Sequence, residues 1–415
     1  LKGISVIVLL VLLAGCTRSV SPTIIWHPIY TAEPGSAPVD PAVIVPADPQ
    51  VTARPAGSPI LTPTPDPARE MPTPRSETLS YTVQPGDSLN KIARQFGVDI
   101  NTLLTANNIE NANILSVGQL LIIPPAPLRA AGPDFKIIPD SELVNGPALV
   151  NFNSDAFITS MNGYLSHYYE NVDGREMSGC EIVERVVHEN SVGARLLLAV
   201  LEYQSGWVTQ SNPRTETIDY PMGYNNAWYS GLYDQLNWAA NQLSRGYYLW
   251  RAEAASVWIL TDGSAVPIAP TINAGTAGVQ QFAAYLYGHD AWNHAVSAQG
   301  IFATYQSLFG YPFDYAVEPL IPAGLSQPQM QLPFRSGESW SFTGGPHGGW
   351  ADGSAWAALD FAPPGKSLGC VLAPQYAAAV ADGVIAYAGY GAVILDLDGD
   401  GIEQTGWSVF YLHID

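Results

Sequence analysis

The sequence predicts a multidomain α+β chain in which a small βααβ module, an all-α domain and a C-terminal all-β domain of antiparallel sheets follow one another. Three observations predict it. Apolar residues recur with helical spacing through the middle of the chain and in short glycine-broken runs at its end. The 34 prolines are unevenly spread and gather between these stretches. At 415 residues and 47% hydrophobic content, the chain is long enough for two or three separate cores. Charged residues make up only 13%, yet the net charge is −20. That balance argues against a nucleic-acid partner, whose phosphates call for basic patches, and it fits an exported protein.

Export is also what the first residues predict. "LKGISVIVLLVLLAGC" carries one basic residue, Lys2, then an apolar run too short to span a bilayer comfortably, then small residues ahead of Cys16. Residues 1–15 therefore read as a signal peptide. The stretch resembles the lipobox of bacterial lipoproteins, which implies a membrane-anchored envelope lipoprotein facing the cell wall, with acyl chains on Cys16. The alternative is an ordinary signal peptide with an incidental cysteine. Acyl chains contribute about 0.8 kcal/mol per buried methylene, so several make a stable anchor. Leu1 in place of Met suggests an alternative start codon or a fragment. Cys180 and Cys370 then remain, too few for a disulfide framework, and both read as free thiols.

Residues 16–78, with runs such as "TPTPDPAREMPTPRSE", lack the apolar content for a core and read as a disordered, proline-rich stalk. At ~3.1 Å per residue, roughly 60 residues reach at most about 190 Å. Residues 79–126 read as the βααβ module: a strand, a Pro85-Gly86 turn, a helix capped by Asp87 or Ser88, a second helix carrying Leu103, Leu104 and Asn107, and a closing strand. Leu89, Ile92, Ala93 and Phe96 share one face of the first helix. Through "YTVQPGDSLNKIA", the "NN" pair and "VGQLLIIP" this stretch resembles a LysM module. The resemblance implies binding to N-acetylglucosamine-containing glycan, peptidoglycan above all, by Gly86, Asp87, Ser88 and Leu89 on one side of a groove and Asn113, Ile114 and Leu115 on the other.

Residues 127–147 read as a linker and 148–315 as the all-α domain. "SGCEIVERVVHE" sets Ser178 and Glu181 in capping-box register and places Ile182, Val183, Val186 and Val187 on one face; "ARLLLAVLEYQSGWV" is apolar enough to be buried. "LLLAVLEYQSGW", "SGLYDQLNWAANQL" and "TINAGTAGV", in that order, resemble lysozyme-like lytic transglycosylases and goose-type lysozymes. In those enzymes the catalytic acid is the Glu of Glu-Ser-Gly. Here the degenerate acid position is Gln204, and an amide cannot protonate a glycosidic oxygen. Glu202 lies two positions away, about 200° around the helix. The expectation is a glycan-binding or spacing domain without glycosidase activity, in which Trp207, Tyr224, Trp228, Tyr229, Tyr233 and Trp238 either stack on sugars or fill the core. His167, His188, His289 and His294 lack ligand spacing and read as structural.

After a linker at 316–331, residues 332–415 read as short strands broken by glycine turns. His347 lies in the glycine-rich loop "SFTGGPHGGW", Asp360 in "AALDFA" thirteen positions on, and His413 in "YLHI". These residues resemble the lysostaphin and β-lytic, or LytM-type, zinc endopeptidases. The resemblance implies His347 and Asp360 as Zn2+ ligands and His413 as the catalytic histidine that stabilises the attacked amide. Neutral imidazole and carboxylate suit tetrahedral zinc, whose bound water has a pKa near ~7. The family's second histidine ligand comes from a His-x-His motif, which these 415 residues do not contain. The expectation is accordingly a fragment of a longer reading frame or an inactive enzyme. Asp396, Asp398 and Asp400 have calcium-loop spacing, but Trp407 stands where the bidentate acid is expected, and an acidic hairpin turn is the simpler reading.

Together these readings predict a peptidoglycan hydrolase, a zinc metalloendopeptidase for cross-link peptides held on glycan by its LysM module, with a non-catalytic wall-binding regulator as the alternative.

Overall fold

The structure, a computed structural model, describes residues 62–71, 75–111, 114–125, 130–349, 353–365 and 372–414. The signal peptide, Cys16, most of the proline-rich stretch, Asn113, Cys370 and Asp415 lie outside the described residues.

Strand β1 (Leu79–Thr82), helices α1 (Leu89–Phe96) and α2 (Ile100–Asn107) and strand β2 (Leu120–Ile123) form the first unit, with the strands antiparallel and Thr82 opposite Leu120. Ser88 caps α1 through the Lys91 N–H and Asp99 caps α2 through the Thr102 N–H, so each helix start has one of its orphan donors satisfied by a side chain. Leu89, Ile92, Ala93, Val98, Leu103, Leu121 and Ile123 close the core. Asn107 is less an apolar-face residue than a clip: its amide both donates to and accepts from the Ile122 backbone.

The helical unit runs through α3 (Asp140–Leu143), α4 (Ser154–Met161), strands β3 (Tyr169–Val172) and β4 (Arg175–Ser178), α5 (Gly179–Asn190), α6 (Ala194–Ser205) and α7 (Leu232–Arg251). It continues through strands β5 (Val257–Ile259) and β6 (Ala265–Pro267), α8 (Ala274–Leu286), α9 (His289–Ala295) and α10 (Ile301–Phe309). The capping box at Ser178 and Glu181 is present in both directions, and Ile182, Val183, Val186 and Val187 are buried as their spacing requires. Helices α7 and α8 approach closely because Gly278 presents no Cβ; one there would stand 2.6 Å from the Leu243 carbonyl oxygen.

Three expectations need correction. The helical stretch is not all-α, since β3–β4 and β5–β6 are antiparallel hairpins within it. The first turns on Asp173-Gly174, both with positive φ, which is the two-residue type I′ signal; the helical periodicity on either side masked it. The stretch read as a linker at 127–147 is packed from its described part onward: Ile137, Ile138 and Leu143 are fully buried, and Glu142 pairs with Arg195 inside the core. Residues 62–71 likewise do not stand free. The Asp66 and Arg69 N–H groups donate to the Thr271 and Pro270 carbonyls, Asp66 pairs with Lys136 at 2.7 Å, and Arg69 lies over Trp250. An extended proline-rich strand has unpaired backbone groups, and here a neighbouring surface takes them up.

The C-terminal unit contains two antiparallel sheets: β7 (Ser341–His347) with β8 (Ala358–Ala362), and β9 (Val384–Gly389), β10 (Ala392–Asp396) and β11 (Ser408–Leu412) in the order β11-β10-β9. Central β10 is buried along its whole length. The chain as a whole is thus a multidomain α+β protein with small antiparallel sheets. No described helix is long and apolar enough to cross a membrane.

Candidate metal and glycan sites

The β7–β8 pairing decides which side chains meet. Gly344 lies opposite Asp360 and His347 opposite Ala358, with register shifts between them that turn the His347 ring back over β8. The His347 Nε2 stands 2.7 Å from Asp360 Oδ2, and its Nδ1 lies 2.8 Å from the Gly348 carbonyl oxygen. Two of the glycines are explained here. A Cβ at Gly344 would come 3.0 Å from Asp360 Oδ2, and one at Gly345, where φ is +122°, would stand 2.6 Å from the Ala358 carbonyl oxygen. The Gly348 carbonyl, and after it Asp360, hold the His347 imidazolium to higher pH than an ordinary histidine. Both side chains are about half exposed, at 44% and 53%.

This donor set suits zinc. An imidazole whose Nδ1 is held by a backbone carbonyl can offer Nε2 to a metal once the Nε2 proton is lost, and the Asp360 carboxylate that Nε2 faces is a hard oxygen donor. His413 follows β11 directly, exposed and with φ +59°. Its neighbour Leu412 lies against Gly349, with Cδ1 3.5 Å from where a Cβ on Gly349 would stand, so β11 ends beside the His347 loop. Among the described residues no third His, Cys, Asp or Glu completes a group with His347 and Asp360; the triple that does converge is Asp396, Asp398 and Asp400, within 4.8 Å. Asp396 is buried and accepts the N–H groups of Asp398, Gly399 and Gly401, as an acidic turn would. Burial, with Asp396 and Asp400 nearby, pushes the Asp398 carboxyl up to about 6.

In the first unit, the β1–β2 pairing brings the segment after β1 beside the segment before β2, with Gly118 N–H bonded to the Val83 carbonyl. Gly86 makes the turn at φ +83°. Asp87 accepts from the Tyr81 hydroxyl and the Gln84 N–H, Ser88 is the helix cap, and Leu89 is buried. Across from them Ile114 is 66% exposed, whereas Leu115 packs against the core. The exposed rim is therefore narrower than the seven residues predicted.

Gln204 sits in the last turn of α6 and accepts from the Tyr287 hydroxyl at 2.7 Å, while its Nε2 is buried without a partner. Glu202 cannot stand in for an acid: its carboxylate accepts the Val208 and Thr209 N–H groups and the Thr209 hydroxyl. Of the six aromatics, Trp207 and Trp238 are core, and Trp228, at 88%, is the most exposed. Burial and Asp155 push the Cys180 thiol up to about 12, so it is inert at neutral pH. Sequence reasoning missed one feature entirely: His188 bonds Glu403, 215 positions away, and no local pattern announces such a pair.

Comparison with known proteins matches the first unit and the helical unit. Residues 81–124 match the LysM domain family, so the first unit is a peptidoglycan-binding LysM domain. Residues 136–322 match the family described as LasA, N-terminal domain, over the stretch that was compared above with lysozyme-like enzymes. The N-acetylmuramoyl-L-alanine amidase XlyA of Bacillus subtilis (strain 168) is 46% identical over 61 residues, which is 15% of this chain and 20% of that relative. The chain thus spans about a fifth of that curated relative's length. No solved structure matches. The fold and these matches define a modular, cell-wall-associated protein with a LysM domain and a LasA-like domain.

Proposed function

We propose that this protein is a zinc-dependent endopeptidase for peptidoglycan cross-link peptides, held on the glycan by its LysM domain. The observation that carries the reading is the His347–Asp360 pair with Nδ1 tied to the Gly348 carbonyl, on a hairpin where both side chains are about half exposed. The LasA-like domain supports a peptidase context, LasA being a LytM-type peptidase. His347 and Asp360 would hold the metal; when bound, zinc supplies Lewis-acid polarisation and a water of lowered pKa. His413, at the end of β11, would stabilise charge developing on the attacked amide. The glycan rim of Gly86, Asp87, Ser88 and Ile114 raises the local concentration of the tethered site at its substrate. A lipid anchor at Cys16 belongs to the same proposal.

Two outcomes test it. The full chain is expected to co-sediment with insoluble peptidoglycan, and a protein that stays in the supernatant contradicts the anchoring role. Muropeptide analysis is expected to show no reducing or anhydro sugar ends, because Gln204 is an amide and Glu202 is engaged by the backbone, and to show opened peptide cross-links only with a form extended by a third ligand from a His-x-His. New sugar ends abolished by Gln204→Ala would instead make the helical unit the catalyst.

A further inference from the structure

We infer that the loop from Met222 to Tyr229, in the helical unit, is a second glycan-binding site, with Trp228 as the platform on which an uncharged N-acetylated sugar of the wall stacks. Trp228 is 88% exposed. A lone exposed apolar side chain is ordinary, but the mount beneath this one is not. Gln235 of α7 is fully buried and uses its whole amide on the loop: Oε1 accepts the Met222 and Tyr224 N–H groups, and Nε2 donates to the Tyr224 and Tyr229 carbonyls. Asn226 accepts the Trp228 N–H, and the Gly231 N–H closes the neck on the Asp219 carbonyl. The Tyr224 ring lies flat on Trp238, 4.3 Å away and 3° from parallel. The loop is thus ordered from its base and not by burial of Trp228. A platform held in place before its ligand arrives loses little freedom on binding.

The chemistry of the loop selects the occupant. Residues 220–233 contain no Asp, Glu, Lys, Arg or His, and an acid stands at each end, Asp219 and Asp234. Beside Trp228 the loop and its neck expose Asn225, Tyr229 and Ser230, which carry amide and hydroxyl groups. A pyranose has C–H groups on its face and hydroxyl or acetamido groups at its edge. The electron-rich face of an indole attracts the first, and neutral amides and hydroxyls pair with the second. An anionic membrane surface calls instead for basic residues, which this loop lacks and a net charge of −20 opposes.

The peptidoglycan-binding LysM domain is seated on the same unit. Its Arg94 guanidinium lies 3.7 Å from the Tyr285 ring centroid, and its Ile100 N–H donates to the Gly263 carbonyl. Tyr285 in turn meets Trp238 edge-on at 6.3 Å, so a run of rings, Tyr285, Trp238 and Tyr224, leads from the LysM contact to the loop. Once LysM holds the wall, a second sugar contact on the unit that carries it forms at high effective concentration. The site uses neither His347 nor Asp360, so it stands or falls apart from the zinc proposal.

Fluorine NMR of the full chain labelled with fluorotryptophan tests this, with each signal identified by its loss in a Trp→Phe variant. The Trp228 signal is expected to shift on addition of a soluble N-acetylglucosamine hexamer, while that of Trp356, the next most exposed described tryptophan at 51%, stays in place. Trp228→Ala removes an exposed ring, so its unfolding temperature is expected to match the wild type. Its binding isotherm with insoluble peptidoglycan is expected to weaken about tenfold, the loss typical of an aromatic anchor. A Trp228 signal indifferent to saturating hexamer, a shift that Trp356 copies, or undiminished binding by Trp228→Ala overturns the site. A Trp228 signal that responds to phosphatidylglycerol vesicles and not to the hexamer also overturns it, and makes the loop a membrane contact instead.

Discussion

Replacing His347 or Asp360 by alanine is expected to eliminate the weak zinc binding of this chain, and cross-link cleavage in a form extended by a His-x-His, while leaving co-sedimentation with peptidoglycan unchanged. Each substitution removes one of the two donors that converge on the β7–β8 hairpin, 2.7 Å apart, and a metal held by a single exposed side chain does not compete with its own hydration. Zinc must also displace the proton that the Gly348 carbonyl and Asp360 help His347 retain. Affinity is therefore expected to rise with pH until that imidazole is neutral and to fall on acidification, with proton release detectable in calorimetry. His413→Ala is expected to spare metal binding and depress turnover, because its proposed role is to stabilise charge. Retention of full zinc affinity by the Asp360→Ala protein would sink the ligand assignment.

The second large effect concerns stability. Glu142 is fully buried, receives Arg195 in two hydrogen bonds of 2.9 and 2.6 Å, and accepts the Tyr305 hydroxyl. Arg195 also donates to the Ala148 carbonyl and lies 4.0 Å from the Tyr315 ring centroid. Burial pushes the Glu142 carboxyl up, with Arg195 and Tyr305 pulling the other way, so the carboxylate depends on its partners. Glu142→Ala leaves the guanidinium uncompensated in the core and is expected to cost about 3–5 kcal/mol. Thermal or denaturant unfolding of the helical unit reads this directly, and a change below about 1 kcal/mol would show that the site rehydrates. Changing both residues to apolar side chains of similar volume is expected to restore much of the loss.

What the sequence made legible follows from the range of the interactions involved. The LysM unit could be read almost residue by residue because its caps, turns and apolar faces are local: Ser88 and Lys91, Asp99 and Thr102, and Gly86 at its turn are each set within a few positions. The capping box at Ser178 was legible for the same reason. His347 and Asp360 were legible as a pair through a thirteen-residue spacing and a family resemblance, whereas their direct contact depends on the bulged register of β7, which no pattern encodes. The role of Glu142 was hidden because its partners lie 53 and 163 positions away, and proline content alone suggested a linker there. Glu403 was hidden more deeply still, since it reads as one acid among several in a polar turn. Residues 62–71 misled for the opposite reason: their composition fits a free extended strand, and the surface offered by Pro270, Thr271, Lys136 and Trp250 fixes them.

The most direct test of the central claim is zinc titration beside cross-link hydrolysis for this chain, for its His347→Ala variant, and for an extended form carrying a His-x-His downstream. If His347 and Asp360 are two of three protein ligands, the 415-residue chain holds zinc weakly and opens no cross-link. The extended form then binds zinc tightly and cleaves, and His347→Ala abolishes both properties in it. Stoichiometric, tight zinc and full activity in the chain ending at Asp415, or an extended form indifferent to His347→Ala, would contradict the account.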